Sequence, residues 1–181
     1  MIRSLKQLLS SNDYRLRESF TLPSRPAAHL PIPDFLHSSG VAKYLQGSLG
    51  GSDAKLWRHQ ALALELFGQG HNVVVATGTA SGKSAVFRAA AFHTVSCSSR
   101  AKVVVFYPLK ALAADQMRGW QSMATGIGMP PETVGRIDGS VDVKARDEIL
   151  ERSRIVVMTP DVCHAWLMSR LSVPAVRSFV R

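Results

Sequence analysis

The chain has 181 residues, enough for one domain of ordinary size, and 46% of them are hydrophobic, which excludes a wholly disordered protein. No apolar run is long enough to cross a bilayer, because the longest, within residues 101–114, is interrupted by Pro108 and Lys110. The net charge of +9 favours a polyanion such as nucleic acid as partner, although a basic, solvated surface unrelated to binding would give the same charge.

The two cysteines, Cys97 and Cys163, are far apart in the sequence and lack the spacing of metal ligands. We therefore predict free, buried thiols in a reducing compartment rather than a disulfide or a zinc site.

Residues 1–52 are predicted to be an appended segment rather than a domain. Met1–Ser11 carries basic residues and leucines at helical spacing, which fits an organelle transit segment or a plain helix, and the acidic residues soon after it favour the helix. Four prolines within residues 22–33 favour extended backbone. A short helix is possible over residues 34–46, and Gly47–Ser52 is typical of a flexible joint.

From Asp53 onwards, strand and helix patterns alternate. Asp53 can cap a first helix, and the β-branched run Val73–Val75 is typical of a strand covered on both faces. Such alternation implies right-handed crossovers and a mostly parallel sheet, with ligands at the carboxyl ends of the strands. The predicted helices are residues 53–67, 83–96, 109–124, 143–152 and 161–171, and the predicted strands are 72–76, 101–107, 133–137 and 154–158.

A small-residue loop lies between the first predicted strand and the helix that follows it. Its residues are Ala76, Thr77, Gly78, Thr79, Ala80, Ser81, Gly82, Lys83 and Ser84. Small residues let backbone N–H groups converge on a polyphosphate, Lys83 supplies a mobile positive charge for the outer phosphates, and the Ser84 hydroxyl is placed to help hold Mg²⁺. The match to the phosphate-binding pattern G-x-x-x-x-G-K-[ST] has one departure, since Thr77 stands at the first glycine position.

Segments before and after the loop carry further signals. Gln60, upstream, offers a donor and an acceptor side by side, the pair that reads N6 and N7 of adenine, and it resembles the adenine-sensing glutamine of superfamily-2 helicases. Downstream, residues 107–116 follow the second strand and look like the family's motif Ia, where a helix N-terminus holds a nucleic-acid phosphate. Residues 136–140 resemble the Asp-Gly element after the third strand, and residues 159–161 match motif Ib.

In order, spacing and strand-end placement, residues 53–171 resemble DEAD/DEAH-box helicases of superfamily 2, and within them the RecQ-like DNA-repair group. The resemblance implies an α/β fold: a RecA-like P-loop NTPase, a three-layer sandwich with a mostly parallel sheet, incomplete at the C-terminus and spanning residues 53–181. It also implies ATP and Mg²⁺ as cofactors. The nucleotide would contact Gln60 and residues 77–84, and the metal would contact Ser84.

The same resemblance implies a DNA partner, single-stranded or partly duplex, gripped through its backbone without sequence preference, and 3′-to-5′ translocation. The residues it assigns to nucleic acid are Pro108, Lys110, Gly139, Thr159, Pro160 and Asp161. We accordingly expect a cytoplasmic, nucleoid-associated protein, or a nuclear one in a eukaryote.

A helicase of this class also needs an Asp-Glu-x-His-type motif, whose Asp holds Mg²⁺ through water and whose Glu orients the attacking water. None follows Thr159, and we interpret the pair Asp147-Glu148 as a solvated helix face.

The second RecA-like domain, with its arginine finger, is also missing. We therefore expect this polypeptide alone neither to turn over ATP appreciably nor to unwind duplex. We also expect uncovered strand edges to make it marginally stable. A fragment, a natural truncated product and a chain completed by a partner all remain open.

Two other functions are weighed. A non-catalytic nucleic-acid-binding module would keep the fold without the reaction, whereas an unrelated P-loop kinase would not bind DNA and would give no reason for the segments after the loop. His59, His93 and His164 are interpreted as packing or surface histidines rather than a metal site. Trp57 could stack on adenine or anchor its helix to the sheet, and the anchor is favoured.

Overall fold

The computed structural model describes residues 26–180, with side chains to residue 179. The predicted helix at Met1–Ser11 lies outside the described residues. Among the helices within them, none is both long enough and apolar enough to cross a membrane.

The described chain alternates short strands with helices. The strands are β1 (His29–Pro31), β2 (Lys55–Trp57), β3 (Val103–Phe106), β4 (Val134–Ile137) and β5 (Ile155–Met158). The helices are α1 (Val41–Leu49), α2 (Arg58–Gly68), α3 (Lys83–Cys97), α4 (Lys110–Gly126), α5 (Val143–Arg152), α6 (Pro160–Val162) and α7 (Pro174–Val180). A π-helical turn at Cys163–Leu167 follows α6, and 3-10 turns occupy Asp34–Ser39, Pro131–Thr133 and Met168–Arg170.

The main sheet has three parallel strands in the order β3-β5-β4. Ile155 at the start of β5 is level with Val103 on one side and Val134 on the other. Helix α4 connects β3 to β4, and α5 connects β4 to β5. Because the strands are parallel and in register, the loops that follow them lie at one edge of the sheet.

Helices cover the main sheet on both faces, which makes three layers. Alternate residues of β5 enter two separate cores, with Ile155 and Val157 in one and Val156 and Met158 in the other. The first core is completed by α2, α3 and α4, and the second by α5, α7 and the turns after α6. The predicted α/β sandwich with a parallel sheet is confirmed.

The predicted strand over residues 72–76 is wrong. Residues 71–78 have no regular secondary structure, and the Val74 side chain is 93% exposed. A strand needs a neighbour for its backbone hydrogen bonds, and none of the described strands pairs with this segment. Val73 and Val75 instead line a cleft of about 920 Å³, called here the β3 cleft, whose other lining includes the outer edge of β3.

The start of the first predicted helix is also wrong. Residues Lys55–Trp57 form β2, which pairs antiparallel with β1, and helix α2 begins only at Arg58. Leu56 is buried opposite Leu30 in this small sheet, so burial outweighs the capping tendency of Asp53. The possible helix over 34–46 is divided at Gly40, whose φ of 72° is left-handed.

Residues 29–49 pack into the first core. Ile32, Leu36, Val41 and Leu45 are buried in the same cluster as Leu64. The division of the chain at residue 52 stays a prediction, but the described part of this segment contributes apolar burial to the layer that carries α2 and α3.

Candidate nucleotide and nucleic-acid site

The small-residue loop ends at the first residue of α3. Ala80 and Gly82 have φ values of 58° and 78°, so the backbone enters the left-handed region twice within three residues. Backbone that alternates in this way turns successive N–H groups towards one concave side, which is an anion-binding arrangement. The left-handed φ of Ala80 is unfavourable because alanine has a Cβ, and such strain is typical of functional loops.

Lys83 lies across this loop. Its Nζ donates hydrogen bonds to the carbonyl oxygens of Thr77, at 2.8 Å, and Gly78, at 2.5 Å. The hydroxyl of Ser81 is 3.4 Å from the same nitrogen and 2.6 Å from the hydroxyl of Thr77. The ammonium group is thus held at the centre of the loop by local acceptors that an anion could replace.

Gln60 joins helix α2 to the loop. Its Nε2 donates to the carbonyl oxygen of Gly82 at 3.0 Å, and its Oε1 accepts from the backbone N–H of Trp57 at 3.0 Å. The side chain is only 6% exposed. Both polar groups of the amide therefore bind protein, and the adenine contact assigned to Gln60 stays a prediction.

His59 makes a matching contact that the sequence reasoning missed. Its Nε2 lies 3.0 Å from the carbonyl oxygen of Ser81. Because a carbonyl only accepts, Nε2 must carry the proton of this hydrogen bond. The sequence carries no signal for this contact, because its acceptor is a backbone carbonyl group, which every residue has. In the structure, His59 and Gln60 are neighbours on the first turn of α2, and their acceptors are neighbours on the loop.

Trp57 lies at the surface beside this junction. Its side chain is 47% exposed, and its ring centroid is 4.4 Å from that of His29 on the neighbouring strand β1. The favoured interpretation of Trp57 as an anchor to the main sheet is therefore wrong. A shallow cavity of about 470 Å³, the Trp57 cavity, is lined by Pro26, Ala27, Ala28, Trp57, Arg58, His59 and Leu62.

The other residues predicted to contact phosphate lie in the loop or on the first turn of α3, and their role stays a prediction. Thr79 and Ala80 are exposed, and Ser84 is half-buried on the first turn of α3. The first N–H groups of a helix have no partners within the helix, so α3 offers donors beside the Lys83 ammonium. No group of three or more His, Cys, Asp or Glu side chains in residues 26–180 is arranged to hold a metal.

The residues predicted to bind nucleic acid lie at the carboxyl edge of the main sheet. Pro108 and Lys110 follow β3, Gly139 follows β4, and Pro160 and Asp161 follow β5, and all five are exposed. Helix α4 begins at Lys110, so a positive side chain and free N–H groups occur together there.

Thr159 differs from these residues because it is buried, with 7% exposure. Its carbonyl oxygen accepts the backbone N–H of Cys163 at 3.1 Å. Its role in the described structure is therefore to start the turn after β5.

Asp138, after β4, organises the neighbouring loop. It is 1% exposed, and its Oδ1 accepts from the Ser140 N–H at 2.8 Å and the Ser140 hydroxyl at 2.5 Å. Arg136 Nε is 3.3 Å from Oδ2. Burial alone would raise the pKa of Asp138, but the Ser140 hydrogen bonds and the charges of Arg136 and Lys110 outweigh it, and the pKa is lowered.

The predicted solvated face at Asp147-Glu148 is correct for Glu148 but wrong for Asp147, which is half-buried. It forms a 3.0 Å ion pair with Arg170, whereas its neighbour Glu148 is exposed. The guanidinium carbons of Arg146 and Arg170 lie 5.3 and 5.7 Å from the centroid of the Trp166 ring. This packing joins α5 to the turns after α6.

Three further side chains differ from or extend the sequence predictions. Cys97 and Cys163 are both free, but Cys97 is exposed and Cys163 half-buried, so the prediction of buried thiols is wrong. His93 packs against Phe35, and its Nδ1 lies 3.1 Å from the Ser39 hydroxyl. Burial lowers the pKa of His93.

Arg88 connects α3, the helix that follows the small-residue loop, to α4. This side chain rises from α3, one turn after Ser84, and its guanidinium donates to Gln116 Oε1 on α4 at 2.7 Å. It also lies 5.6 Å from the Trp120 ring centroid, and a Cβ at Gly119 would overlap it. The helix that leaves the loop is therefore fastened to the helix that begins at Lys110.

The chain is similar in sequence to curated helicases. It is 27% identical over 169 residues to the ATP-dependent helicase HRQ1 of Saccharomyces cerevisiae, a match that covers 91% of this chain and 15% of the yeast protein. It is 32% identical over 114 residues to the ATP-dependent helicase MJ1574 of Methanocaldococcus jannaschii, covering 61% of this chain and 17% of that protein. The chain thus spans under a fifth of the length of either relative.

The fold is also similar to a solved helicase. The crystal structure of the DUF1998 helicase MrfA bound to DNA and AMPPNP superposes with a TM-score of 0.82 at 20% identity, over 99% of this chain and 24% of that chain. At this identity the likeness concerns the fold, and it confirms the RecA-like architecture, here in partial form. The family model for DEAD/DEAH box helicases matches residues 57–180, about two thirds of the sequence. The chain belongs to the DEAD/DEAH box helicase family.

Proposed function

We propose that this chain is the ATP- and nucleic-acid-binding portion of an ATP-dependent DNA helicase that translocates 3′ to 5′. One observation carries the nucleotide half of the proposal: Lys83 is held at the centre of a loop that enters left-handed backbone at Ala80 and Gly82 and opens directly into α3. Convergent N–H groups and a central ammonium fit a polyphosphate.

The residues present fit magnesium-bound ATP. Lys83 would contact the outer phosphates, the Ser84 hydroxyl would be one ligand of Mg²⁺, and Trp57 would offer an exposed ring to the base. Gln60 would serve mainly by holding Gly82. Bound ATP would supply the free energy that drives translocation.

The nucleic-acid half of the proposal is supported by the carboxyl edge of the main sheet. Lys110, Gly139 and Pro160 follow three neighbouring strands and are all exposed, so one backbone could pass across them. Contacts of this kind hold phosphates without reading bases. The protein in the MrfA structure binds DNA and AMPPNP together, which agrees with DNA as the partner here. A DNA partner favours the nucleoid, or the nucleus of a eukaryote.

We propose further that this polypeptide alone binds ATP without hydrolysing it appreciably. The sequence contains no Asp-Glu pair at the end of a described strand, and the pair at Asp147 lies within α5, with Asp147 bound to Arg170. Carboxylates that hold the metal and orient water are needed for phosphoryl transfer.

The test uses the 181-residue chain. Calorimetric titration with AMPPNP and Mg²⁺ is expected to show binding that Lys83→Ala removes, and single-stranded DNA is expected to bind with strong salt dependence. A steady-state ATPase assay with DNA is expected to show no turnover above that of Lys83→Ala. ATP turnover that depends on Lys83 would overturn the proposal that this chain alone does not hydrolyse ATP. A folded sample that does not bind AMPPNP would overturn the proposed nucleotide site itself.

A non-catalytic nucleic-acid-binding module remains the second candidate, favoured by the position of Asp147 within a helix. This candidate predicts the same binding results for this chain, and it also predicts that any longer protein containing the chain does not turn over ATP.

A further inference from the structure

Two neighbouring side chains of α2 hold two neighbouring carbonyl groups of the phosphate loop. His59 Nε2 is 3.0 Å from the Ser81 oxygen, and Gln60 Nε2 is 3.0 Å from the Gly82 oxygen. Gln60 is already assigned to the nucleotide, whereas the sequence favours a packing or surface role for His59.

The consequence of the histidine contact follows from peptide geometry. In a trans peptide the C=O and N–H bonds point in opposite directions, and the described residues contain no cis peptide. When His59 holds the Ser81 oxygen towards α2, the N–H of Gly82 must point away from α2. In the same way, Gln60 turns the N–H of Lys83 away from α2.

These two N–H groups stand at the entrance of α3, where a helix leaves its first donors without intrahelical partners. Gly82 has a φ of 78°, a conformation in which its peptide could rotate readily if no side chain held it, because glycine lacks the Cβ that restricts other residues. A donor that is already aimed binds an anion more tightly than one that must first be ordered.

We propose that His59 is a positioning residue of the phosphate site, which fixes the Ser81–Gly82 peptide so that the Gly82 N–H faces the polyphosphate. The inference rests on the proposed function, since it concerns the same site. It assigns His59 to the phosphates and not to the base, although its ring also lines the Trp57 cavity.

The experiment compares two probes with the full chain: AMPPNP with Mg²⁺, and inorganic tripolyphosphate with Mg²⁺, which has no base. The variants are His59→Leu, which removes the donor, His59→Asn, whose amide is too short to reach Ser81, and His59→Gln, whose amide can reach it. His37→Leu, at an exposed histidine of the Asp34–Ser39 turn, is the matched control. Dissociation constants and the thermal midpoint of the unliganded protein are measured for each.

We expect His59→Leu and His59→Asn to weaken the binding of both probes by about 2- to 12-fold, the range for one lost hydrogen bond, with His59→Gln and the control close to wild type. Unchanged affinity in both donor-deleting variants would overturn the inference. So would a loss confined to AMPPNP, because that result would place His59 against the base. If the folded wild-type chain binds neither probe, the proposed nucleotide site itself fails, which is a different result from a silent substitution.

Discussion

Gln60 and Gly82 are fitted to each other at the entrance of α3. The Gln60 amide donates to the Gly82 carbonyl at 3.0 Å, and a Cβ built on Gly82 would overlap the same amide nitrogen. Gly82 also has a left-handed φ of 78°. The glycine is therefore required twice, once for its backbone conformation and once for the room it leaves to Gln60.

This relationship predicts that Gly82→Ala removes most of the AMPPNP affinity. The methyl group must displace Gln60 or rotate the peptide, and either change moves the N–H groups of the loop. Calorimetric titration measures the loss, and Gly47→Ala on α1, outside the loop, is the control because a Cβ there meets nothing within 4 Å. Equal losses at the two glycines would show that the Gln60 contact is not responsible.

Lys83→Ala is expected to separate ligand affinity from stability. The Lys83 ammonium contacts only exposed or half-buried groups of its own loop, so its removal should change the free energy of unfolding by less than about 1 kcal/mol. Denaturant unfolding with and without AMPPNP measures both quantities. Wild type should gain stability from the ligand, and the variant should gain little. A variant that unfolds at much lower denaturant without ligand would contradict this account.

Lys110→Ala is expected to weaken the binding of single-stranded DNA by the same factor for different base sequences. Lys110 is exposed at the start of α4, where it can contact a phosphate but reads no base edge. The slope of log affinity against log salt concentration should fall by about 1. Arg118→Ala, at an exposed site two turns further along α4, is the control of equal charge. A loss of affinity that depends on base sequence, or a larger loss for Arg118→Ala, would show that the DNA does not bind at the strand ends.

Asp138→Asn is expected to destabilise the fold at neutral pH but not in acid. The pKa of the Asp138 carboxyl is lower in the folded protein than in the unfolded chain, so its ionised form stabilises the fold. That contribution is complete above the unfolded value, near pH 4, and is lost as the pH falls through the folded value. The free energies of unfolding should differ by about 1–2 kcal/mol from pH 7 to pH 5, and they should converge as the pH falls from about 4 through the folded pKa. A difference that persists in acid would point to packing and not to charge.

Much of the sheet layer could be predicted from the sequence, because its elements carry local signals. Helix α5 was predicted at its observed bounds, and β5 within one residue, since apolar periodicity and β-branched runs report burial directly. Residues 72–76 show the limit of such signals. A β-branched run indicates a strand only if another strand lies beside it, and that partner is a property of the whole fold.

The candidate site likewise contains some residues that could be predicted from the sequence and others that could not. Lys83 and Gly82 could be found because their chemistry requires particular residue types at fixed spacing. His59 could not, because its partner is the carbonyl oxygen of Ser81, a group that every residue possesses. Asp147 was misassigned because its ion pair with Arg170 depends on how α5 packs against the turns after α6.

The β3 cleft lies along the outer edge of β3, and this edge fixes the direction in which a further strand could pair there. Strand β3 pairs only with β5 among the described strands, and its last residue, Phe106, is half exposed beside a cleft that Lys83 and Tyr107 also line. A polypeptide that joined β3 in the parallel sense would run towards Tyr107. Its final side chains would then enter the cleft that Lys83 also lines, so the outer edge of β3 sets the direction from which an added strand would approach this lysine.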